Sequence, residues 1–64
     1  MIIMANLTER ELSLLEDSLS AEQLLIKKYQ TYAVLCSDPQ LKAQCDKIAG
    51  QHQQHFDKLM GFLN

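Results

Sequence analysis

The sequence predicts an all-α protein: a two-helix antiparallel hairpin that dimerises into a four-helix bundle. Apolar residues recur at steps of three and four in two runs, one on either side of Pro39. This spacing places the side chains of each run on one face of a helix. The apolar fraction of 47% is ordinary for a globular protein, which argues against disorder. The whole chain, residues 1–64, is therefore expected to form one helical unit.

Helix 1 is predicted over residues 8–36. Thr8 and Glu11 have the spacing of a capping box, in which the threonine side chain caps the helix and the glutamate binds back to its backbone. No Gly or Pro interrupts the segment. Its stripe consists of Leu12, Leu15, Leu19, Glu22, Ile26, Tyr29, Ala33 and Cys36.

Helix 2 is predicted over residues 39–63, after a turn at residues 37–38. Asp38 is a good N-cap and Pro39 suits the first helical position, although Ser37 and Gln40 also have capping-box spacing. Gly50 lies inside this helix, where it is tolerated most easily if another helix approaches closely. The stripe consists of Leu41, Cys45, Ile48, His52, His55, Leu59 and Phe62.

The apolar residues outnumber the positions that one hairpin can bury. Additional ones flank both stripes, and a face this broad is typical of a bundle rather than of a two-helix contact. A unit of 64 residues is also only marginally stable unless a disulfide, a metal or oligomerisation reinforces it. We therefore expect two hairpins to associate as a homodimer. The flanking residues are Leu14, Leu24, Leu25, Tyr32, Val34, Leu35, Ala49, Phe56 and Leu63.

Three polar residues, Glu22, His52 and His55, occupy positions of the stripes where apolar residues are expected. Folding the chain back at residues 37–38 aligns residues whose numbers sum to roughly 75, so Glu22 faces both histidines. One interpretation is a structural polar layer that fixes helix register. A second is a site for zinc or another divalent transition metal, because imidazole and carboxylate suit these ions. Catalysis is a third and weaker interpretation.

The two cysteines are interpreted as core filler, with an intermolecular or metal-binding role as the alternative. Cys36 ends helix 1, and Cys45 is offset from it by roughly 9 Å along the helix axis. This offset disfavours a disulfide, which seldom bridges Cα atoms more than about 7 Å apart.

Charge and hydropathy exclude several classes of function. A net charge of −2 provides no basic patch, so no nucleic-acid partner is expected. No apolar run has the length of a membrane span, and residues 1–4 lack the features of a signal peptide. We expect an intracellular protein without a membrane partner, whose apolar N-terminus docks in a groove of a partner subunit.

Four segments resemble the spore coat F-like family of small ferritin-like proteins from endospore-forming bacteria. They are LTEREL at 7–12, EQ at 22–23, SDPQL at 37–41 and QHQQHF at 51–56. The resemblance implies a ferritin-like hairpin located in the spore coat, with other coat proteins as partners and no catalytic role.

The chain departs from the wider ferritin-like pattern at the metal ligands. That pattern combines a lone Glu with a Glu-x-x-His motif to hold two irons. Glu22 matches the lone Glu, but Ala49 stands where a motif ending at His52 would begin, and His52 stands where one ending at His55 would begin. The departure argues against an enzyme, with a vestigial metal oxidase as the remote alternative.

Three hypotheses of function follow. The first is a non-enzymatic assembly protein acting through a homodimeric bundle, as a coat component would. The second is a bundle that stores or senses a divalent metal through Glu22, His52 and His55. The third is an adaptor that opens to accept a partner helix.

Overall fold

The computed structural model describes residues 7–63, which form two α-helices and no strand. Helix α1 spans Glu9–Leu35 and helix α2 spans Pro39–Met60. They pack against each other as an antiparallel hairpin about 14 Å thick. The predicted all-α hairpin is confirmed for these residues. None of their helices is long and apolar enough to cross a membrane.

The start of α1 has the predicted capping box. The Thr8 hydroxyl accepts a hydrogen bond from the Glu11 backbone N–H at 3.0 Å, and a Glu11 carboxylate oxygen accepts one from the Thr8 N–H at 3.0 Å. Two N–H groups at the helix start are thereby satisfied. These bonds lower the pKa of Glu11 below its ordinary value of 4.5, because they favour the ionised carboxylate.

The turn between the helices uses the first of the two predicted caps. The Asp38 carboxylate accepts a hydrogen bond from the Gln40 N–H at 2.9 Å, and Pro39 occupies the first turn of α2. The proline supplies the helical φ angle at a position whose N–H needs no partner. This cap fixes where the chain reverses and therefore how α2 is aligned with α1.

The C-terminal end of α2 differs from the prediction. The helix ends at Met60, three residues earlier than expected, and Gly61 is its C-cap. The Gly61 N–H reaches back to the carbonyls of Asp57 and Lys58, at 3.2 and 3.1 Å, so the last turn tightens. Heptad spacing could not reveal this, because Phe62 and Leu63 still follow the apolar pattern.

The core between the helices is small. Leu15, Ala33, Cys45, Ala49 and Leu63 are the buried apolar residues, and no described side chain is completely inaccessible to solvent. Three of them are alanine or cysteine, which allows the helix backbones to approach. Gly50 does not serve this purpose: a Cβ built on it meets no atom within 4 Å. The expected close approach at Gly50 is therefore absent from the hairpin.

Candidate functional site

Glu22 lies halfway along α1, on the side that faces α2. Its carboxylate contacts α2 through both oxygens. His52 Nδ1 is hydrogen-bonded to Oε1 at 2.8 Å, and the His55 Nδ1 atom lies 3.0 Å from Oε2, within ion-pair distance. The structure thus brings together the three polar residues that the stripes singled out.

The two imidazoles reach the same carboxylate because they are three residues apart on α2 and project from one side of it. Their rings meet edge to face, with centroids 5.6 Å apart. Since an ionised carboxylate only accepts hydrogen bonds, Nδ1 of His52 is the donor in its bond to Glu22.

The members of the cluster differ in burial. The Glu22 side chain is 13% exposed and that of His52 is 21% exposed, whereas that of His55 is 57% exposed. Glu22 and His52 therefore belong to the helix contact, and His55 connects it to the surface. The sequence placed all three in the stripes but did not reveal this gradient.

The cluster is satisfied as it stands. No buried side-chain nitrogen or oxygen among the described residues lacks a hydrogen-bond partner. A polar layer of this kind can fix the register of two helices without any ligand. The structural interpretation therefore accounts for the burial of Glu22 with no further component.

The same atoms also form a possible metal site. One ligand atom from each of Glu22, His52 and His55 lies within 4.8 Å of the others. Around a tetrahedral ion with bonds of about 2.1 Å, neighbouring ligand atoms lie about 3.4 Å apart. For Nδ1 to bind an ion, each ring would carry its proton on Nε2, and the nitrogen–oxygen distances of 2.8 and 3.0 Å would widen to about 3.4 Å. The three groups could therefore hold a divalent transition ion that keeps one coordination position open.

Tyr29 is a contributor that sequence reasoning treated only as packing. Its ring stacks on that of His52, with centroids 6.1 Å apart and planes 16° apart. It also meets Tyr32 edge to face at 5.8 Å. The stack limits rotation of the His52 ring and so holds Nδ1 toward Glu22. The sequence feature that could have indicated this role is the position of Tyr29, two turns beyond Glu22 in the same stripe.

The cysteines lie apart from the cluster and are both free. Cys45 is buried and Cys36 is half-buried. Burial raises the pKa of the Cys45 thiol, and the neighbouring Cys36 thiol and the Asp46 carboxylate raise it further. A thiol with a raised pKa is a poor nucleophile, in keeping with the interpretation of Cys45 as core filler.

Comparison of the chain with protein-family models, with curated proteins and with solved structures finds no match. The resemblance to the spore coat F-like family therefore rests on the four segments alone. Two features of the molecule bear on its function: the surplus apolar surface and the cluster at Glu22.

Proposed function

We propose that this protein is a non-enzymatic assembly protein that works as a homodimeric helical bundle. The observation that carries the proposal is the imbalance between its buried and exposed apolar side chains. Among residues 7–63, five apolar residues are buried, none completely, whereas seven large ones are exposed. Leu14, at 66% exposed, and Phe62, at 51%, illustrate how much apolar surface faces water. Association with a second copy would remove that surface from solvent, which is favourable.

Sedimentation equilibrium over a wide range of protein concentration tests this proposal. The expected result is a mass of about twice 7.3 kDa. On dilution, the helix content should fall over the same concentration range in which the dimer dissociates. A helical monomer at every concentration would contradict the proposal. A dimer that exchanges subunits within seconds and captures amphipathic peptides would instead favour the adaptor hypothesis.

The resemblance supports the spore coat as the place of assembly, with other coat proteins as partners. This part of the proposal depends on the four segments and not on the fold, because helical hairpins occur in many unrelated proteins. Mass spectrometry of coat extracts from the source organism tests it. Recovery of the chain in the soluble fraction alone, with none in the coat, would contradict it.

A second candidate function, divalent-metal binding, is favoured by the geometry at Glu22. The carboxylate and two imidazoles converge at nearly the spacing of metal ligands, and imidazole nitrogen suits zinc and related ions. Such a dimer would store or sense the ion, and binding would stabilise the hairpin.

Elemental analysis of untagged protein, purified without chelators or metal columns, tests this candidate. Near one transition-metal ion per chain or per dimer would support it. A stable dimer without metal that also fails to bind added zinc would reduce the cluster to a polar layer.

The donor set does not favour the metal oxidase alternative. Glu22 supplies the cluster's only carboxylate within residues 7–63. A di-iron centre in a helical bundle draws on a Glu from each of several helices to bridge the metals. We therefore propose no oxidase activity.

A further inference from the structure

The two cysteines lie on either side of the turn that joins the helices. Cys36 is the C-cap of α1 and has an extended backbone, with φ −72° and ψ 134°. Cys45 lies on α2 and is only 6% exposed. Both thiols are free, and neither belongs to the cluster at Glu22. The turn end of the hairpin therefore carries two thiols for which the functions proposed above have no use.

The two thiol groups are neighbours across the helix contact. Besides burial, the Cys36 thiol raises the pKa of Cys45, as a nearby charge and as a side-chain hydrogen-bond partner. A thiol is a weak donor and a weak acceptor, so this interaction requires the two side chains to meet. Cysteine side chains are short and meet only where the backbones are close. The buried Ala33, one turn before Cys36, and the buried Ala49, one turn after Cys45, allow this approach.

The position of Cys36 outside the helix changes the expectation for a disulfide. The axial offset of roughly 9 Å applies to a cysteine that is the last residue of a rigid helix. Helix α1 ends at Leu35, and Cys36 is tied back to it by one hydrogen bond, from its N–H to the Tyr32 carbonyl at 2.9 Å. Cys36 can therefore move toward Cys45 at the expense of that bond. A bridge formed in this way carries strain, and strained disulfides are readily reduced.

The unequal burial of the thiols assigns them different roles in thiol–disulfide exchange. Cys36 is half-buried and is the thiol that a small molecule in solution can reach. Cys45 is buried and has a raised pKa, so it reacts poorly with a reagent from solution. Its neighbour Cys36 is held beside it, however, and proximity accelerates a reaction within one molecule. Cys36 is thus suited to react first, and Cys45 to react with the product.

We propose that Cys36 and Cys45 form a reversible redox pair whose oxidant is a low-molecular-weight disulfide such as glutathione disulfide. The Cys36 thiolate attacks one sulfur of the small disulfide, which forms a mixed disulfide and releases one small thiol. The Cys45 thiol loses its proton to solvent and attacks the Cys36 sulfur, which releases the second small thiol. The pair gives up two electrons and two protons, and the small disulfide takes up both. The product ties the end of α1 to α2, and an excess of small thiol reverses both steps.

Oxidation of the reduced full-length chain by glutathione disulfide tests the proposal. Samples are quenched in acid and examined by intact-mass and peptide mass spectrometry. We expect the main product to be a single chain that has lost two hydrogen atoms, bridged between Cys36 and Cys45. Reduced glutathione in excess should restore two free thiols. Cys45→Ala should stop at the mixed disulfide on Cys36, and Cys36→Ala should react roughly tenfold or more slowly, because its remaining thiol is buried.

A displaced cysteine distinguishes contact in the fold from mere closeness in the sequence. Gln44→Cys combined with Cys45→Ala moves the second thiol by one residue to an exposed position, about 100° away around α2. In the folded protein this control should accumulate mixed disulfides instead of the bridge. In urea, above the unfolding midpoint, the control and the wild type should close to similar extents, since their loops differ by one residue.

The wild-type result stands whether or not the variants fold. Accumulation of the mixed disulfide in the folded wild type, disulfide-linked dimers in place of the bridge, or a bridge that excess glutathione fails to reduce would each overturn the proposal. A folded control that closes as readily as the wild type would also overturn it, because the contact between Cys36 and Cys45 would then have no effect. None of these outcomes depends on self-association or on metal binding.

Discussion

Replacing Glu22 with leucine separates a structural polar layer from a metal site. The change removes the acceptor of the His52 hydrogen bond and the carboxylate that lies within ion-pair distance of His55. A hydrogen bond to a charged group contributes about 1.5–3 kcal/mol. His55 is 57% exposed and reaches water, so the lost hydrogen bond at His52 is the main unfavourable contribution.

A stabilising contribution of similar size opposes this loss. A buried leucine in place of the carboxylate contributes about 1.5–3 kcal/mol and avoids the desolvation of a charge. In the presence of a chelator we therefore expect the free energy of unfolding of Glu22→Leu to lie within about 1.5 kcal/mol of the wild-type value. Urea unfolding followed by far-ultraviolet circular dichroism measures it, at one fixed protein concentration.

Zinc supplies the discriminating comparison. An ion at a free concentration of 100 times its dissociation constant stabilises the folded state by about 2.7 kcal/mol. With an m-value of about 1–3 kcal/mol per molar, the wild-type midpoint should rise by about 1–3 M urea. Glu22→Leu should show little or no rise, because it has lost one of three ligands.

Glu16→Leu is the matched control, since Glu16 is an exposed glutamate of the same helix outside the cluster. It should keep the full response to zinc. If zinc raises the urea midpoint equally in the wild type and in Glu22→Leu, the assignment of these ligands is refuted. If zinc does not raise the midpoint of the wild type, metal binding is refuted.

Three further predictions concern residues outside the cluster. Gly50→Ala should stabilise the protein by about 1 kcal/mol in urea unfolding, because an added Cβ meets no atom within 4 Å and alanine favours the helix; an unchanged or lower midpoint would contradict this. Cys36 should be alkylated by iodoacetamide at pH 8 faster than Cys45, whose thiol has a raised pKa, and peptide mass spectrometry would show the reverse order if the assignment is wrong. Glu11→Ala should lower the thermal midpoint at pH 7: the pKa of Glu11 is lowered on folding, so its contribution is present above pH 4.5 and is lost as pH falls through the folded-state pKa. The deficit should therefore nearly vanish at pH 2, and a deficit of equal size at pH 2 and pH 7 would contradict this.

The helices and their ends were predictable where a short-range rule determines them. The capping box at Thr8 and the Asp38–Pro39 start of α2 each depend on residues within one turn, so the printed sequence contains the whole signal. The early end of α2 at Gly61 was missed because an apolar repeat that continues past a helix end does not distinguish helix from a tightened final turn.

The meeting of Glu22 with His52 and His55 was also predictable, because a tight turn fixes the alignment of the two helices. The unequal burial of the two histidines was not. Residues three apart on a helix project about 60° apart, so His52 and His55 cannot both point at the centre of the contact. The face of α2 that contacts α1 is centred on Cys45 and Ala49, which leaves His52 within it and His55 at its edge, and packing along the whole helix determines that centre.

This difference in burial has a functional consequence if two hairpins associate through the surface on which His55 lies. Glu22 then belongs to the contact within one hairpin, and His55, whose Nδ1 lies 3.0 Å from the same carboxylate, belongs to the contact between two. A metal ion held by both residues would have different affinities for the free and the associated chain. By thermodynamic linkage, association would change its affinity for metal by the same factor as metal changes its affinity for a second copy. Zinc should therefore change the dissociation constant of the wild-type dimer and leave that of the Glu22→Leu dimer unchanged. A polar layer that serves only to fix helix register would produce neither effect.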